Sequence, residues 1–179
     1  MRSRVITGVL LILILSACSS QPLKTGDHDL VLRIAQLEPY GLHLPPGHQT
    51  YERFKRKQWL DGTVMIEYEF EAPAELALPF LASNAEFHSS STNACKQLSA
   101  SRIGLALAGV ELDERSDFFQ HGEKSRFIIL MDKGEPMGNY FGMCKGKQLF
   151  EVILGGFYFD DAKLWEELLT PILNTSDKK

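Results

Sequence analysis

The sequence predicts an α+β domain in which an antiparallel β-sheet is flanked by two main helices. Three observations carry this expectation. Residues 64–71 alternate apolar and polar side chains directly after an Asp61-Gly62 pair, the mark of a half-buried strand leaving a hairpin turn. Three β-rich runs follow one another between Arg126 and Gly155, separated by turn residues, as in an antiparallel meander. Two further segments, Ser89–Gly109 and the stretch after Asp160, carry helical spacing and capping residues.

Taken in order, the chain opens on Arg2 and Arg4, then an apolar run from Val5 to Leu15 broken only by Thr7 and Gly8, then Ser16 and Ala17. The run is about half of the roughly 20 residues a helix needs to cross a bilayer. Residues 1–17 therefore read as a secretory signal peptide, with a basic start, a short apolar middle and a small-residue exit. Leu15-Ser16-Ala17-Cys18 resembles the lipobox of bacterial lipoproteins, matching it at every position. That resemblance implies cleavage before Cys18, a diacylglycerol thioether on its sulfur and an acyl chain such as palmitate on its new amino group. One acyl chain binds a membrane marginally, whereas two or three hold a protein there. In Gram-negative envelopes, lipoproteins with Ser rather than Asp after the cysteine usually go to the outer membrane, and Ser19 fits that pattern. The alternative is an ordinary signal peptide with a chance cysteine beyond its cleavage site.

Cleavage would leave about 160 residues, the size of one domain with a real core. Loss of Arg2 and Arg4 takes the net charge from −4 to about −6, which argues against nucleic acid as a partner. A basic protein partner is compatible with that charge. With Cys18 used by lipid, Cys95 and Cys144 remain. An even remainder in an exported chain suggests a disulfide. Closing a loop of about 50 residues would stabilise the fold by about 4 kcal/mol in the chain-entropy model. Two buried free thiols are the alternative.

Residues 18–49 read as the lipidated N-terminus and a flexible tether, with Pro22, Gly26, Pro39, Gly41 and the segment Leu44-Pro45-Pro46-Gly47-His48-Gln49. One apolar stretch within it, Leu30–Leu37, reads as a strand or helical turn. The domain then spans 50–175, with a polar tail at 176–179. Asp61-Gly62 predicts a two-residue hairpin turn with φ > 0 at both positions. Val64, Ile66, Tyr68 and Phe70 would face the core, and Met65, Glu67, Glu69 and Glu71 the solvent. In that register Trp59 pairs with Val64 and Arg56 faces Glu67. Lys55 and Lys57 then fall on the apolar side, which calls for a bulge or a partly covered strand.

A strand over Leu78–Phe87 starts late or lies at an edge because of Pro79. Ser89–Gly109 reads as a helix with a Ser or Thr N-cap, with Ala94, Leu98, Arg102, Leu105 and Gly109 approximately on one face, and a glycine stop at Gly109. Arg126–Asp132, Met137–Cys144 and Gln148–Gly156 form the meander, with a Gly-Glu-Pro turn after Asp132. Asp160 or Asp161 caps a last helix whose Trp165, Leu168, Leu169 and Ile172 share a face, with Pro171 ending or bending it. This order of elements, above all the small-residue helix and the "FEVILGGF" strand leading into a terminal amphipathic helix, resembles the PsbP-like α/β/α sandwich family. The resemblance implies a sheet covered by helices and an accessory rather than catalytic role; it transfers no site residues.

Candidate chemistry is sparse. His28, His43, His48, His88 and His121 show no metal-ligand spacing, and neither a phosphate loop nor a Gly-x-Ser-x-Gly elbow occurs. No catalytic residue, metal or cofactor is assigned. Glu67, Glu69 and Glu71, with Glu86 on a neighbouring strand, read as a solvated face that would dock a basic partner if left open. Phe157, Tyr158 and Phe159 place three aromatics in a strand-to-helix connection, so at least one should face outward as a partner-binding patch. The leading expectation is a non-catalytic, lipid-anchored protein of the outer membrane, facing the periplasm and binding a protein partner in the envelope, an immunity protein against a toxin being one form. The alternative is an envelope hydrolase with an unrecognised carboxylate site.

Overall fold

A computed structural model describes residues 18–42, 51–72, 79–107, 109–116, 118 and 120–176. The signal peptide, His43 to Gln49, Leu78 and the last three residues of the tail lie outside the described residues. The chain builds one open sheet of eight antiparallel strands. These are β1 (Cys18–Gln21), β2 (Tyr51–Trp59), β3 (Val64–Glu71), β4 (Phe80–Phe87), β5 (Glu111–Glu114), β6 (Lys124–Asp132), β7 (Glu135–Lys145) and β8 (Gln148–Gly155). Their spatial order is β1-β2-β3-β4-β8-β7-β6-β5. Helix α1 (Ser91–Leu107) carries the chain from β4 to the far edge, and helix α2 (Ala162–Ser176) closes it.

The architecture is mainly β, which corrects the expected α+β sandwich. Strand takes up 43% of the described residues and helix 29%, and the sheet is not closed. The cause is twofold. Strand β1 lies in the segment that reads as a tether, and β5 lies between the first helix and the meander, where the sequence predicts no element. Helix α1 also covers little, burying only Ala94 and Leu98, so it roofs the β6-β7-β8 side and leaves the β2-β3-β4 side of that face polar.

The other face holds the main core. Trp165, Leu168, Leu169, Ile172 and Leu173 of α2 pack there against Ile66, Tyr68, Phe70, Phe141, Phe150 and Val152 of the sheet. Helix α2 starts where Asp161 Oδ1 accepts the Lys163 N–H at 2.8 Å, an N-cap of the kind its sequence predicts. It runs through Pro171 to Ser176 because Ile172 and Leu173 are buried beyond the proline, and their burial outweighs the lost hydrogen bond.

The same core takes in Leu30, Val31, Leu32, Ile34, Leu37 and Leu42, so this part of the expected tether is packed, and residues 18–21 are paired with β2 as an edge strand. Three short 3-10 turns run through this segment. Its backbone is tied down by side chains of the sheet. The Leu32 N–H donates to Ser83 Oγ at 2.9 Å and the Ile34 N–H to the Tyr68 hydroxyl at 3.2 Å. Asp27, fully buried, receives Arg56 Nη1 on both oxygens at 3.0 Å.

The hairpin register also differs from expectation by one residue. Gln58 pairs with Val64, Arg56 with Ile66 and Lys55 with Glu67. The turn is three residues long, Leu60-Asp61-Gly62: Trp59 and Thr63 are bonded across it, and only Gly62 takes a positive φ, 84°. A one-residue slip exchanges the faces of a strand. Here it moves Arg53, Lys55 and Lys57 to the polar side, where Glu67 and Glu69 stand, and removes the need for a bulge. The β6–β7 turn is the one with both φ values positive, at Lys133 (52°) and Gly134 (81°), in place of the expected Gly-Glu-Pro turn.

Candidate functional site

On the face shared with α1, the strands alternate so that Glu67 and Met65 of β3, Asn84 and Glu86 of β4, and Glu151 of β8 all stand on one side. Asn84 sits between Glu67 and Glu151 in the pairing registers. Because α1 covers only the β6-β7-β8 side, a groove runs between the helix and the polar half of the sheet. It consists of two adjoining depressions of about 440 and 360 Å³ that share Glu86 and Gln97. One is lined also by Trp59, Leu60, Asp61 and His88, the other by Asn84, Ser101, Tyr140 and Glu151.

The groove's carboxyls are unusual. Glu151 is only 8% exposed, and the Tyr140 hydroxyl donates to its Oε1 at 2.7 Å. Burial pushes its pKa above the ordinary carboxylate range and the nearby Glu86 adds to this, while hydrogen bonds from Tyr140 and Ser101 pull the other way. Burial raises Glu86 as well. His88 Nε2 lies 2.9 Å from Glu86 Oε2. Burial lowers the His88 pKa, opposed by the charges of Asp61 and Glu151. Burial raises the Tyr140 phenol too, and the Glu151 charge reinforces it.

A pH-dependent outcome follows from Glu151. Its folded pKa is raised, so the folded state holds this proton more tightly than the unfolded chain does. The associated penalty is absent below the unfolded value, about 4.3, grows as pH rises toward the folded value, and stays constant above it. Glu151→Gln keeps an acceptor for Tyr140 and removes that penalty. Its melting temperature should exceed the wild type's at pH 7, with the gap shrinking as pH falls from the raised folded value toward about 4.3 and vanishing below that. A thermal-melt series from pH 3 to pH 8 checks this; a variant less stable at pH 7 would show that the carboxylate is held favourably.

The acidic stripe is placed differently from its sequence reading. Glu67 pairs with Lys57, and Glu69 with Arg53 and, at 3.7 Å, Lys55. The cross-strand basic residues balance the stripe, so this half of the sheet is mixed in charge. Glu71 is exposed at the strand end opposite Tyr51.

The three connecting aromatics separate. Phe157 and Phe159 are half-buried against the main core, with ring centroids 4.8 Å apart. Tyr158 is 41% exposed. Buried Asn139 fixes the segment, accepting the Phe159 N–H at 2.8 Å and donating to the Phe159 carbonyl at 2.9 Å. Trp165 Nε1 also donates to that carbonyl, at 3.2 Å. Tyr158 lines a shallow depression with Pro136, Met137, Gly156 and Phe157. Exposed Phe80 and Tyr51 lie at the same end of the sheet, since Phe80 pairs with Gly155 and with Glu71, which pairs with Tyr51.

Cys95 and Cys144 are joined in a disulfide, with Cα atoms 5.2 Å apart. Cys18 is a free, partly exposed cysteine at the first position of β1. Among the described residues no helix is long and apolar enough to cross a membrane, and no group of three or more His, Cys, Asp or Glu side chains is placed to hold a metal ion. No family model, curated protein or solved structure matches the chain.

Sequence reasoning missed the groove. Glu151 sits in an otherwise apolar run, and that was its only signal: a charged residue at a position where the period-two pattern points inward.

Proposed function

We propose that this chain is a non-catalytic, lipid-anchored protein of the bacterial cell envelope, held on the outer membrane and facing the periplasm, where it serves as a binding or accessory module. The observation that carries the reading is the Leu15-Ser16-Ala17-Cys18 lipobox after a short basic-apolar leader. The Cys95–Cys144 disulfide supports it, because such bonds persist outside the reducing cytoplasm. The exposed Tyr158 and Met137, which line one depression, support a protein partner, since aromatic and Met side chains are enriched at interface cores. Interception of a toxin in the periplasm is one form this role takes.

The test combines labelling and recovery. Radiolabelled palmitate should enter the wild-type protein and fail to enter Cys18→Ser; equal incorporation in both overturns the anchor. From detergent-solubilised envelopes, the wild type should recover a protein that Tyr158→Ser does not. Recovery of nothing above an untagged control removes the binding role.

A second reading, an envelope hydrolase, is favoured by one observation: Glu86, Glu151 and His88 converge in the groove with burial-shifted pKa values, as proton-transfer groups do. Purified protein incubated with isolated murein would release soluble fragments under this reading. Release no greater than from a buffer control eliminates it for that substrate.

A further inference from the structure

The position of Cys18 has a geometric consequence. It is paired with Trp59, the last residue of β2, and Ser19 with Gln58. The pairing places the first residue of the cleaved chain at the end of the sheet that carries the β2–β3 turn. Adjacent strands lie about 4.8 Å apart, so an acyl chain on Cys18 would leave the protein with almost no slack between the bilayer and this edge. Side chains at that turn are unusual for a solvent-facing loop: Leu60, at the tip, is 85% exposed, and Trp59 is 41% exposed. The Asp61 carboxylate folds back to accept the Thr63 N–H at 2.9 Å. The β7–β8 turn lies at the same end, because Gln58, Val64, Phe87, Gln148 and Lys145 form one row of partners across the sheet. That turn presents an exposed Lys147, with Glu123 hydrogen-bonded to its Gly146 N–H.

From this juxtaposition we infer that the Trp59–Leu60 turn is a second membrane contact, seated in the headgroup–acyl boundary of the bilayer that holds the Cys18 lipid. The inference rests on acylation of Cys18. Trp is favoured at that depth because its ring is apolar and its N–H reaches the polar layer. Leu60 supplies apolar surface, and the covalent lipid supplies the proximity that makes a small contact effective. The domain then stands with the Cys18 end of its sheet on the membrane, and the Phe80, Met137 and Tyr158 end directed away from it.

The test uses the full acylated protein in phosphatidylethanolamine–phosphatidylglycerol vesicles containing a lipid spin-labelled near the headgroup. Only two tryptophans are present, and Trp165 is fully buried, so the lipid-quenched emission should come from Trp59. Quenching should be lost in Trp59→Phe and weakened in Leu60→Asp, both with wild-type melting curves. Intact mass separates the two levels of failure. Absence of acyl mass on Cys18 overturns the anchor and this contact together. An acylated, vesicle-bound protein whose Trp59 stays as open to aqueous iodide as in unlipidated Cys18→Ser overturns the contact alone. Trp59 already shielded from iodide in lipid-free Cys18→Ser would assign the turn to a protein contact and equally overturn it.

Discussion

Replacing Cys95 and Cys144 together by Ser should lower the unfolding free energy by about 2–4 kcal/mol and loosen α1 before the rest of the domain. The bond closes a loop across a separation of 49 residues, and the chain-entropy model puts the upper end of its contribution near 4 kcal/mol. Its location makes the local effect larger than the global one. Helix α1 buries only Ala94 and Leu98 against Ile128, Leu130, Tyr140 and Leu149, so little apolar contact remains to hold it once the covalent link is gone. Ser90 caps it, accepting the Asn93 N–H at 3.2 Å, and Arg102 reaches Glu114 at 3.0 Å; these exposed contacts are each worth around 1 kcal/mol or less. Hydrogen exchange should therefore accelerate first over residues 91–107, while the α2 amides keep their protection. The groove should widen with it, because α1 is one of its walls. Denaturant titration of the oxidised wild type and the double variant gives the first number, and exchange mass spectrometry the second. Matching midpoints and matching exchange over α1 would show that packing, not the bond, holds the helix.

How much of this was legible in the sequence depends on how local each determinant is. The inward set Val64, Ile66, Tyr68 and Phe70 follows from alternation alone; the last three are fully buried and Val64 is half-buried against the same core. The α2 face and its Asp161 cap are likewise encoded within one helical segment. The β2 register is not. Asp-Gly is compatible with a two-residue turn or with a three-residue turn ending in a left-handed glycine, and the strand's charges decide between them. Placing Arg53, Lys55 and Lys57 opposite Glu69, Glu67 and Met65 is the arrangement that leaves no lysine on the core face. The packed N-terminal segment was hidden for a different reason. Its Pro and Gly residues resemble a linker's, and its apolar Leu30–Leu37 stretch has neither helix nor strand period because it folds as irregular turns. The groove depends on which strands α1 fails to cover, a tertiary fact with no local signature.

The second large effect is expected at Asp27, which joins that N-terminal segment to the sheet. Its carboxylate is fully buried, accepts the Lys24 N–H at 2.8 Å and holds the Arg56 guanidinium, whose side chain is 14% exposed. Removing one partner of a buried ion pair leaves the other charge without compensation, at a cost of about 3–5 kcal/mol. Asp27→Ala should thus destabilise the domain by that order, and more than Arg53→Ala, since Arg53 pairs with Glu69 at a more exposed site. The double change Asp27→Leu with Arg56→Met should recover much of the loss, because it removes both charges and keeps apolar volume. The consequence for placement is distinct from the loss of stability. With Arg56 released, β1 loses the lock next to its end, and the pairing of Cys18 with Trp59 should open before the core does. Limited proteolysis should then cut near Lys24 under conditions where the wild type resists. In acylated protein on vesicles, the freed segment would act as the slack tether that the native packing denies, and lipid quenching of Trp59 should fall while the protein stays membrane-bound. If Asp27→Ala unfolds at the wild-type denaturant concentration and resists cleavage at Lys24, the ion pair is not what docks the segment, and the buried Leu30, Leu32 and Leu37 hold it without help.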